Sequence, residues 1–369
     1  MAGKVRQPID IASLERYISD NVPEIEVPLD VKQFGYGQSN PTYQLTDKTG
    51  KKYVLRKKPP GQLLSKTAHK VDREYRIIHA LEKTDVPVPR ALCLCQDEKV
   101  IGTDFYIMEF LDGRIFEDPV LPDVSPEDRT KMWHSAITTL AKFHRVDPAS
   151  VNLASYGKSS GFYNRQIATF NTISQSQASA KDKETGEPVG KIPHQDDMVA
   201  FFKDARTQPK DRATFVHGDY KIDNVVFHKT EPRVIGILDW EMSTIGHPLS
   251  DLNNVLSPYI TASSQKAATI GRAHKGFQPG ATPGLPTCEQ LIAWYSEVAG
   301  WDPRPDFTWG NAFSTYRLAI IMQGIAARYA LRQASSAQAH EYGQMMKPYA
   351  EIAWELVEEF KRDHQKAKL

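Results

Sequence analysis

Three short apolar runs separated by polar turns lie in residues 215–240, and they constrain the fold of this 369-residue chain more than any other stretch. The first run opens the stretch, the second is rich in β-branched residues and ends at Phe227, and the third is 234–238. A Glu-Pro turn signal separates the last two runs, as in a hairpin. The pattern predicts a short strand, a tight loop over 217–223 and a hairpin.

The polar residues of this stretch lie in the loop and at the end of the last apolar run, where phosphoryl transfer would use them. Transfer from ATP needs a carboxylate beside the acceptor hydroxyl and oxygen ligands that hold Mg²⁺ across the β- and γ-phosphates. Asp219 is the candidate base or hydroxyl-orienting group, and Lys221 is placed to reach the transferring phosphate. Asn224 and Asp239 are the candidate Mg²⁺ ligands.

The loop H-G-D-Y-K-I-D-N has the same spacing between Asp and Asn as the catalytic loop H-R-D-x-x-x-x-N of protein kinases. Asp and Asn are also common turn residues. A histidine beside a buried strand, here His217, is more often a structural core residue than a catalyst. The conjunction of His-Gly-Asp, an Asn five residues after the Asp, a hairpin and a closing Asp favours a phosphotransferase over a simple turn.

The strings H-G-D-Y-K-I-D-N and I-L-D-W-E resemble the aminoglycoside phosphotransferase and choline kinase superfamily. The longer string E-P-R-V-I-G-I-L-D-W-E-M-S-T-I-G-H-P-L-S-D-L is similar to the kinase domain of acyl-CoA dehydrogenase family members ten and eleven. The resemblance runs from about residue 34 to about residue 333. It implies an α+β, protein-kinase-like fold with a small β-rich N-lobe over 1–110, a larger and mostly helical C-lobe over 111–369, and ATP and Mg²⁺ as cofactors.

A turn flanked by apolar residues in 31–46 holds Gly35, Gly37, Ser39 and Asn40. These small and polar residues are expected to let backbone amides approach the ATP phosphates. The next segment, K-Y-V-L-R, alternates as a strand does and would carry the cation that pairs with the α- and β-phosphates. Protein kinases use Lys there, whereas choline-kinase relatives often use Arg, which favours Arg56. Lys57 is the alternative, because one bulge would exchange the two faces of the strand.

A helix is predicted over 71–81 from apolar residues at helical spacing, and Glu74 lies beside that apolar stripe. The kinase resemblance implies that Glu74 pairs with the strand cation; an exposed Glu on a charged helix is the alternative. The segment F-Y-I-M-E-F-L-D-G-R resembles the hinge between kinase lobes. This resemblance implies that backbone groups from Glu109 to Leu111 meet adenine.

Four residues of the C-lobe are assigned from the resemblance. Asp251 matches a family position that braces the catalytic loop by hydrogen bonding. Arg165 lies in the stretch that resembles the start of the acceptor-side insert, and it is a candidate contact for an anionic acceptor. Arg317 and Arg328 lie on a predicted helix that lines the acceptor cleft in the relatives. Ion pairing on a helix is the alternative for both.

Composition excludes several classes of protein. Lys and Arg total 46 against 45 Asp and Glu, and this net charge of +1 does not indicate nucleic-acid binding. No apolar run of about 18 residues is present, so no membrane span is expected.

The final residues Ala367, Lys368 and Leu369 resemble the Ser-Lys-Leu peroxisomal address, which predicts a peroxisomal import receptor as a partner. Without that address, a cytoplasmic location is expected.

The predicted function is transfer of the ATP γ-phosphate to the hydroxyl of a small molecule. The resemblance implies a hydroxyacyl-CoA as the acceptor and a separate acyl-CoA dehydrogenase-type partner enzyme, in keeping with fatty-acid breakdown in peroxisomes. A choline- or aminoglycoside-type amine-alcohol kinase is the alternative, and its cationic acceptor would favour an acidic cleft. A non-catalytic nucleotide-binding protein and a protein kinase are less favoured, the latter because the sequence lacks an A-P-E segment.

Overall fold

The computed structural model describes residues 2–35, 40–59, 70–264, 272–334 and 338–366. Two of the predicted phosphate-covering residues, Gly37 and Ser39, lie outside the described residues, as do Ala367, Lys368 and Leu369. These five positions keep the predictions made for them.

Contacts within the chain define two compact units. The first comprises Met1–Ile115, Pro148–Ala154 and Asp223–Ser243, and the second comprises Phe116–Asp147, Ser155–Ile222 and Thr244–Leu369. Both units are discontinuous in sequence, whereas the predicted lobes, 1–110 and 111–369, are continuous. The predicted lobe boundary stays a prediction.

The first unit is built on a six-stranded antiparallel sheet. Its strands are β1 (Ala2–Gly3), β2 (Asp30–Phe34), β3 (Thr42–Thr46), β4 (Lys52–Lys57), β5 (Ala91–Cys95) and β6 (Phe105–Glu109). Their order across the sheet is β1-β2-β3-β4-β6-β5, and every pair is antiparallel. The strand predicted from K-Y-V-L-R is β4.

Alternation along β4 separates the two faces of this sheet. Tyr53 and Leu55 are buried in the same core cluster as Leu14 and Ile18 of helix α1 (Ile11–Asn21). Arg56 has the opposite parity, and the register of β4 with β3 and β6 is regular along its whole length. The bulge that would exchange the faces is therefore absent from β4, and Arg56 lies on the face opposite the α1 core cluster.

The helix predicted over 71–81 is α2 (Val71–Leu81), and a short helix, α3 (Glu98–Ile101), follows β5. The three apolar runs of residues 215–240 are strands, as predicted. β7 (Thr214–Val216) belongs to the second unit and pairs there with β10 (Thr244–Gly246). β8 (Val225–Phe227) and β9 (Val234–Ile237) form the predicted antiparallel hairpin in the first unit.

The second unit is mostly helical. Its helices are α4 (Pro126–Arg145), α5 (Phe162–Ala178), α6 (Gln195–Lys203), α7 (Leu249–Ser263), α8 (Cys288–Ala299), α9 (Arg304–Ala330), α10 (Ala339–Gln344) and α11 (Met346–Lys366). Helix α9 packs against α5 and α11 around an aromatic core cluster that includes Trp309, Phe313 and Tyr316. Among the described helices, none is long and apolar enough to cross a bilayer.

Candidate active site

A buried carboxylate, Glu74, organises the polar side chains of the first unit. Its Oε1 accepts a hydrogen bond from Asn40 Nδ2 at 2.7 Å, and its Oε2 accepts one from Tyr106 OH at 2.9 Å. Arg56 Nε lies 3.1 Å from the same Oε2 and forms an ion pair with it. Because Glu74 is 0% exposed, these three groups replace the water that would solvate it in the unfolded chain.

Arg56 also binds the carboxylates that follow β9. Its Nη2 donates to Asp239 Oδ1 at 2.8 Å and lies 3.3 Å from Glu241 Oε2. Asp239 lies two residues after β9 and has a left-handed backbone conformation with φ of 64°, directly before the 3-10 turn Trp240–Met242. The structure thus places Arg56 beside Glu74, as the resemblance implied, and adds two further carboxylates to the same guanidinium.

Three carboxylates share one guanidinium in this cluster, and the pKa values of Glu74 and Arg56 reflect that. Burial raises the pKa of Glu74 to about 7; Arg56 and Tyr106 act in the opposite direction, while Asp239 and Glu241 add to the rise. Burial alone would lower the pKa of Arg56, but Glu74, Tyr106 and Asp239 raise it overall. The guanidinium therefore stays charged, and the cluster contains three acidic side chains around one basic side chain, which suits a cation.

Lys57, the alternative phosphate-binding cation, has a different environment. Lys57 is only 5% exposed, and burial lowers the pKa of its ammonium group. It shares the strand parity of Leu55, which lies in the α1 core cluster. The geometry therefore favours Arg56 over Lys57 as the cation that would meet the phosphates.

Asn224 and Asp239, the predicted Mg²⁺ ligands, flank the same end of the β8–β9 hairpin. The Leu238 N–H donates to the Asn224 carbonyl at 2.8 Å, directly beside the Val225–Ile237 pair. In the ranges that the structure describes, no group of three His, Cys, Asp or Glu side chains is placed to hold a metal ion. Mg²⁺ commonly binds through one or two protein oxygens together with phosphate and water, so these two side chains fit an ion that arrives with a nucleotide.

The predicted hinge and turn residues lie at strand ends of the sheet of the first unit or just beyond them. Glu109 ends β6 and is exposed; its Oε2 accepts a hydrogen bond from the Arg90 N–H at 3.1 Å. Leu111 packs closely on β9, where a Cβ at Gly236 would lie 2.0 Å from Leu111 Cδ1. Gly35 is exposed, whereas Asn40 is buried against Glu74. Contact of these residues with a nucleotide stays a prediction.

In the second unit, Asp251 holds the loop of residues 217–221 that carries Asp219, called here the Asp219 loop. The fully buried carboxylate accepts hydrogen bonds from the His217 N–H at 2.6 Å and the Gly218 N–H at 2.8 Å. His144 Nε2 lies 3.1 Å from the same carboxylate. Burial would raise the pKa of Asp251, but the hydrogen bonds and charges of His144 and His217 hold it below its usual value.

Asp219 and Lys221 project from this loop and lie close together. Lys221 Nζ is 3.4 Å from Asp219 Oδ2, and the Asp219 side chain is 33% exposed. The Asp219 N–H donates to Nδ1 of the fully buried His217 at 3.2 Å. Gly218 has a φ of 86°, a conformation that favours glycine and makes the tight turn before Asp219. His217 therefore contacts the backbone of Asp219, and its supporting role stays a prediction.

The three arginines predicted to meet the acceptor lie in different environments. Arg165 is half-buried and donates to the Ser160 carbonyl in its own segment. Arg317 is half-buried, and its Nη2 donates to the Gly218 carbonyl at 2.8 Å. Arg328 is exposed, three turns farther along α9. Of these three, Arg317 contacts the Asp219 loop, and acceptor binding by all three stays a prediction.

Two residues at these sites were missed by the sequence analysis. Glu241 stands two residues after Asp239 in the string L-D-W-E, so the motif itself offered a signal for its contact with Arg56. Asn254 lies three residues after Asp251 on α7, and its Nδ2 donates to the Tyr220 carbonyl at 3.0 Å. Its helical spacing from Asp251 could have indicated that both side chains face the same loop.

Known proteins share this sequence pattern. The sequence model described as the phosphotransferase enzyme family matches residues 30–289. Acyl-CoA dehydrogenase family member 11 from Gallus gallus is 40% identical over 352 residues, covering 94% of this chain and 43% of the relative. The chain therefore spans less than half the length of this curated relative.

Solved structures share the fold. A crystal structure from Ralstonia eutropha, named provisionally as an aminoglycoside phosphotransferase, is 36% identical with a TM-score of 0.81, covering 95% of this chain and 99% of that chain. An aminoglycoside phosphotransferase solved as a ternary complex with streptomycin and ATP is 15% identical with a TM-score of 0.55, covering 91% of this chain and 99% of that one. The comparisons confirm the resemblance and the kinase-like α+β fold predicted from the sequence.

Proposed function

The chain belongs to the phosphotransferase enzyme family, and from this premise we propose that it transfers the γ-phosphate of ATP to a hydroxyl of a small molecule. One observation supports this more than any other. Arg56 Nη2 lies 2.8 Å from Asp239 Oδ1 although the two residues are 183 positions apart, while Arg56 Nε pairs with Glu74. A strand cation, a helix carboxylate and a metal-binding carboxylate are the groups that phosphoryl transfer requires together.

Each predicted residue has a distinct task in the proposed reaction. Asp219 accepts the proton of the acceptor hydroxyl as its oxygen attacks the γ-phosphorus, and the bond from that phosphorus to the β–γ bridging oxygen breaks. Arg56 binds the α- and β-phosphates, and Lys221 offsets charge on the transferring group. Asn224 and Asp239 would hold Mg²⁺, which when bound neutralises charge on the β- and γ-phosphate oxygens.

For the acceptor, we propose a hydroxyacyl-CoA. The proposal is supported by the name of the 40% identical relative, an acyl-CoA dehydrogenase family member, of which this chain covers 43%. Arg165 and Arg328 are the candidate contacts for its anionic groups. An acyl-CoA dehydrogenase-type enzyme would then be a partner that acts on the phosphorylated product. Peroxisomal import rests on Ala367, Lys368 and Leu369, and it stays a prediction.

Amine alcohols are the second candidate acceptors, because a neighbour with a TM-score of 0.55 was solved with streptomycin and ATP. These acceptors are cationic, so Arg165 and Arg328 would repel them. Arg328→Glu separates the candidates: it should raise the KM for a hydroxyacyl-CoA, and it should leave or lower the KM for an amine alcohol.

The test is Mg·ATP turnover by the purified chain with hydroxyacyl-CoAs, choline, ethanolamine, homoserine and aminoglycosides. Asp219→Asn should lower kcat on the true acceptor by about 10²- to 10⁴-fold, because it removes the proton acceptor. The matched control is Asp204→Asn, at a half-buried carboxylate that pairs with Arg206. Removal of Mg²⁺ by a chelator should abolish turnover. Binding of ATP without turnover on any acceptor would contradict the proposal.

A further inference from the structure

The geometry points to Arg317 as a positioning residue that acts with Asn254 to fix the backbone on both sides of Asp219. This inference rests on the proposed function for its catalytic consequence. It also departs from the acceptor-binding role that the sequence analysis predicted for Arg317.

Arg317 and Asn254 form a clamp on two carbonyl groups of the Asp219 loop. Arg317 Nη2 donates to the Gly218 carbonyl at 2.8 Å, and Asn254 Nδ2 donates to the Tyr220 carbonyl at 3.0 Å. The two side chains are joined to each other, because Arg317 Nη1 donates to Asn254 Oδ1 at 3.3 Å. The clamped carbonyls belong to the residues immediately before and after Asp219.

The N–H groups of the same loop are held by Asp251 of α7 and by His217 of the loop itself. Asp251 accepts from His217 N and Gly218 N, and His217 Nδ1 accepts from Asp219 N. Five consecutive peptide groups link Val216 to Lys221. The hydrogen bonds to Asp251 and His217, together with the clamp, anchor four of these five peptide groups. The peptide between Asp219 and Tyr220 is thus bracketed by anchored neighbours, which restricts the φ and ψ angles that aim the Asp219 side chain.

The clamp has a chemical reason to use an arginine. A guanidinium presents several N–H donors in a fixed plane, so one side chain can bind a carbonyl and an amide oxygen together. A lysine provides a single donating atom and would lose one of these contacts. The link to Asn254 is also long-range, because the two residues are 63 positions apart and lie on different helices, α9 and α7.

Positioning and acceptor binding predict different kinetics for Arg317→Ala. Loss of a positioning residue leaves both substrates bound but misdirects Asp219, so kcat should fall by about 10- to 100-fold while both KM values stay near wild type. Loss of an acceptor contact would instead raise the acceptor KM. Arg317→Lys should recover only part of the lost kcat, and added guanidinium should raise the kcat of Arg317→Ala by filling the vacated site.

Asn254→Asp tests the other half of the clamp. It keeps an oxygen for Arg317 and removes the N–H donor to the Tyr220 carbonyl, so kcat should fall again with unchanged KM values. The matched control is Arg304→Ala, also on α9, at a surface side chain that pairs with Asp302 at 3.1 Å. This control should keep wild-type kcat and KM.

The rate of amide hydrogen exchange in residues 217–221 measures how firmly the clamp holds the loop, and the measurement needs no substrate. Exchange should accelerate in Arg317→Ala and Asn254→Asp, and it should stay at the wild-type rate in Arg304→Ala. Unchanged exchange, or a rise in acceptor KM with wild-type kcat, overturns the inference. If the wild-type chain transfers no phosphate, the proposed function fails, whereas the exchange result still decides whether Arg317 and Asn254 hold the loop.

Discussion

Glu74 in the first unit and Asp251 in the second are both completely buried carboxylates, yet their pKa values shift in opposite directions. Burial raises the pKa of Glu74 to about 7. Burial also opposes ionisation of Asp251, but its hydrogen bonds and the charge of His144 lower the pKa below the usual 3.8. The groups that contact each carboxylate therefore decide whether its pKa rises or falls.

The partners differ in kind. Glu74 is held by side chains, and Arg56, the cation that pairs with it, is shared with Asp239 and Glu241. Asp251 accepts hydrogen bonds from two backbone N–H groups of the Asp219 loop, and His144 Nε2 lies beside it. A shared side-chain partner can rearrange when a ligand arrives, whereas backbone donors keep a loop in one conformation. The Glu74 cluster is therefore expected to rearrange more readily than the Asp219 loop.

The largest effect is expected when Asp251 is replaced. Asp251→Asn should lower the free energy of unfolding by about 3–5 kcal/mol, because it leaves buried N–H groups and His144 without their anionic acceptor. Urea unfolding at neutral pH measures it, with Asp30→Asn, an exposed partner of Lys32, as the control. A loss as small as that of the control would remove Asp251 as the fixed anchor of the loop.

Glu74→Gln should raise, rather than lower, the free energy of unfolding at alkaline pH. Because the pKa of Glu74 is raised in the folded state, wild-type stability from this group is full below the unfolded value of 4.5 and is lost as the pH rises through about 7. Gln mimics the neutral form, so the variant should be more stable than wild type at pH 8, by on the order of 2 kcal/mol. Equal pH dependence of unfolding in the two proteins would contradict the raised pKa.

The decline of unfolding free energy at acidic pH should depend on Asp251. Its pKa is lowered in the folded state, so its contribution is present above 3.8 and is lost as the pH falls through the folded value. Asp251→Asn should therefore flatten the decline of unfolding free energy below about pH 4, by at most about 1.4 kcal/mol per pH unit. Urea titrations between pH 5 and pH 3 measure the slope; an unchanged slope would assign acid unfolding to other groups.

Of these substitutions, Tyr106→Phe should change the free energy of unfolding the least. It removes the hydroxyl that donates to Glu74 Oε2 at 2.9 Å, which should cost about 1 kcal/mol. The same hydrogen bond lowers the pKa of Glu74, so its loss should move the midpoint of the pH–stability curve above that of wild type. Tyr53→Phe, which loses a hydrogen bond to the Glu24 carbonyl, should leave that midpoint in place.

The local structure around the site was predictable because it depends on neighbouring residues. The three apolar runs became β7, β8 and β9, since β-branched runs and a Glu-Pro turn specify a hairpin over a few residues. The helix that carries Glu74 followed from its apolar spacing. The pairing of Arg56 with Glu74 came from resemblance alone, because no local pattern joins residues on a strand and a separate helix.

The sequence by itself determined the family, the fold class and the positions of Asp219, Asn224 and Asp239 along the chain. Only the tertiary structure decided that Arg56, and not Lys57, meets Glu74 and Asp239, because the regular register of β4 fixes which face each residue takes. It also decided that Arg317 binds the Gly218 carbonyl, 99 positions away. Burial and long-range hydrogen bonds set such contacts, and they exist only once the chain has folded.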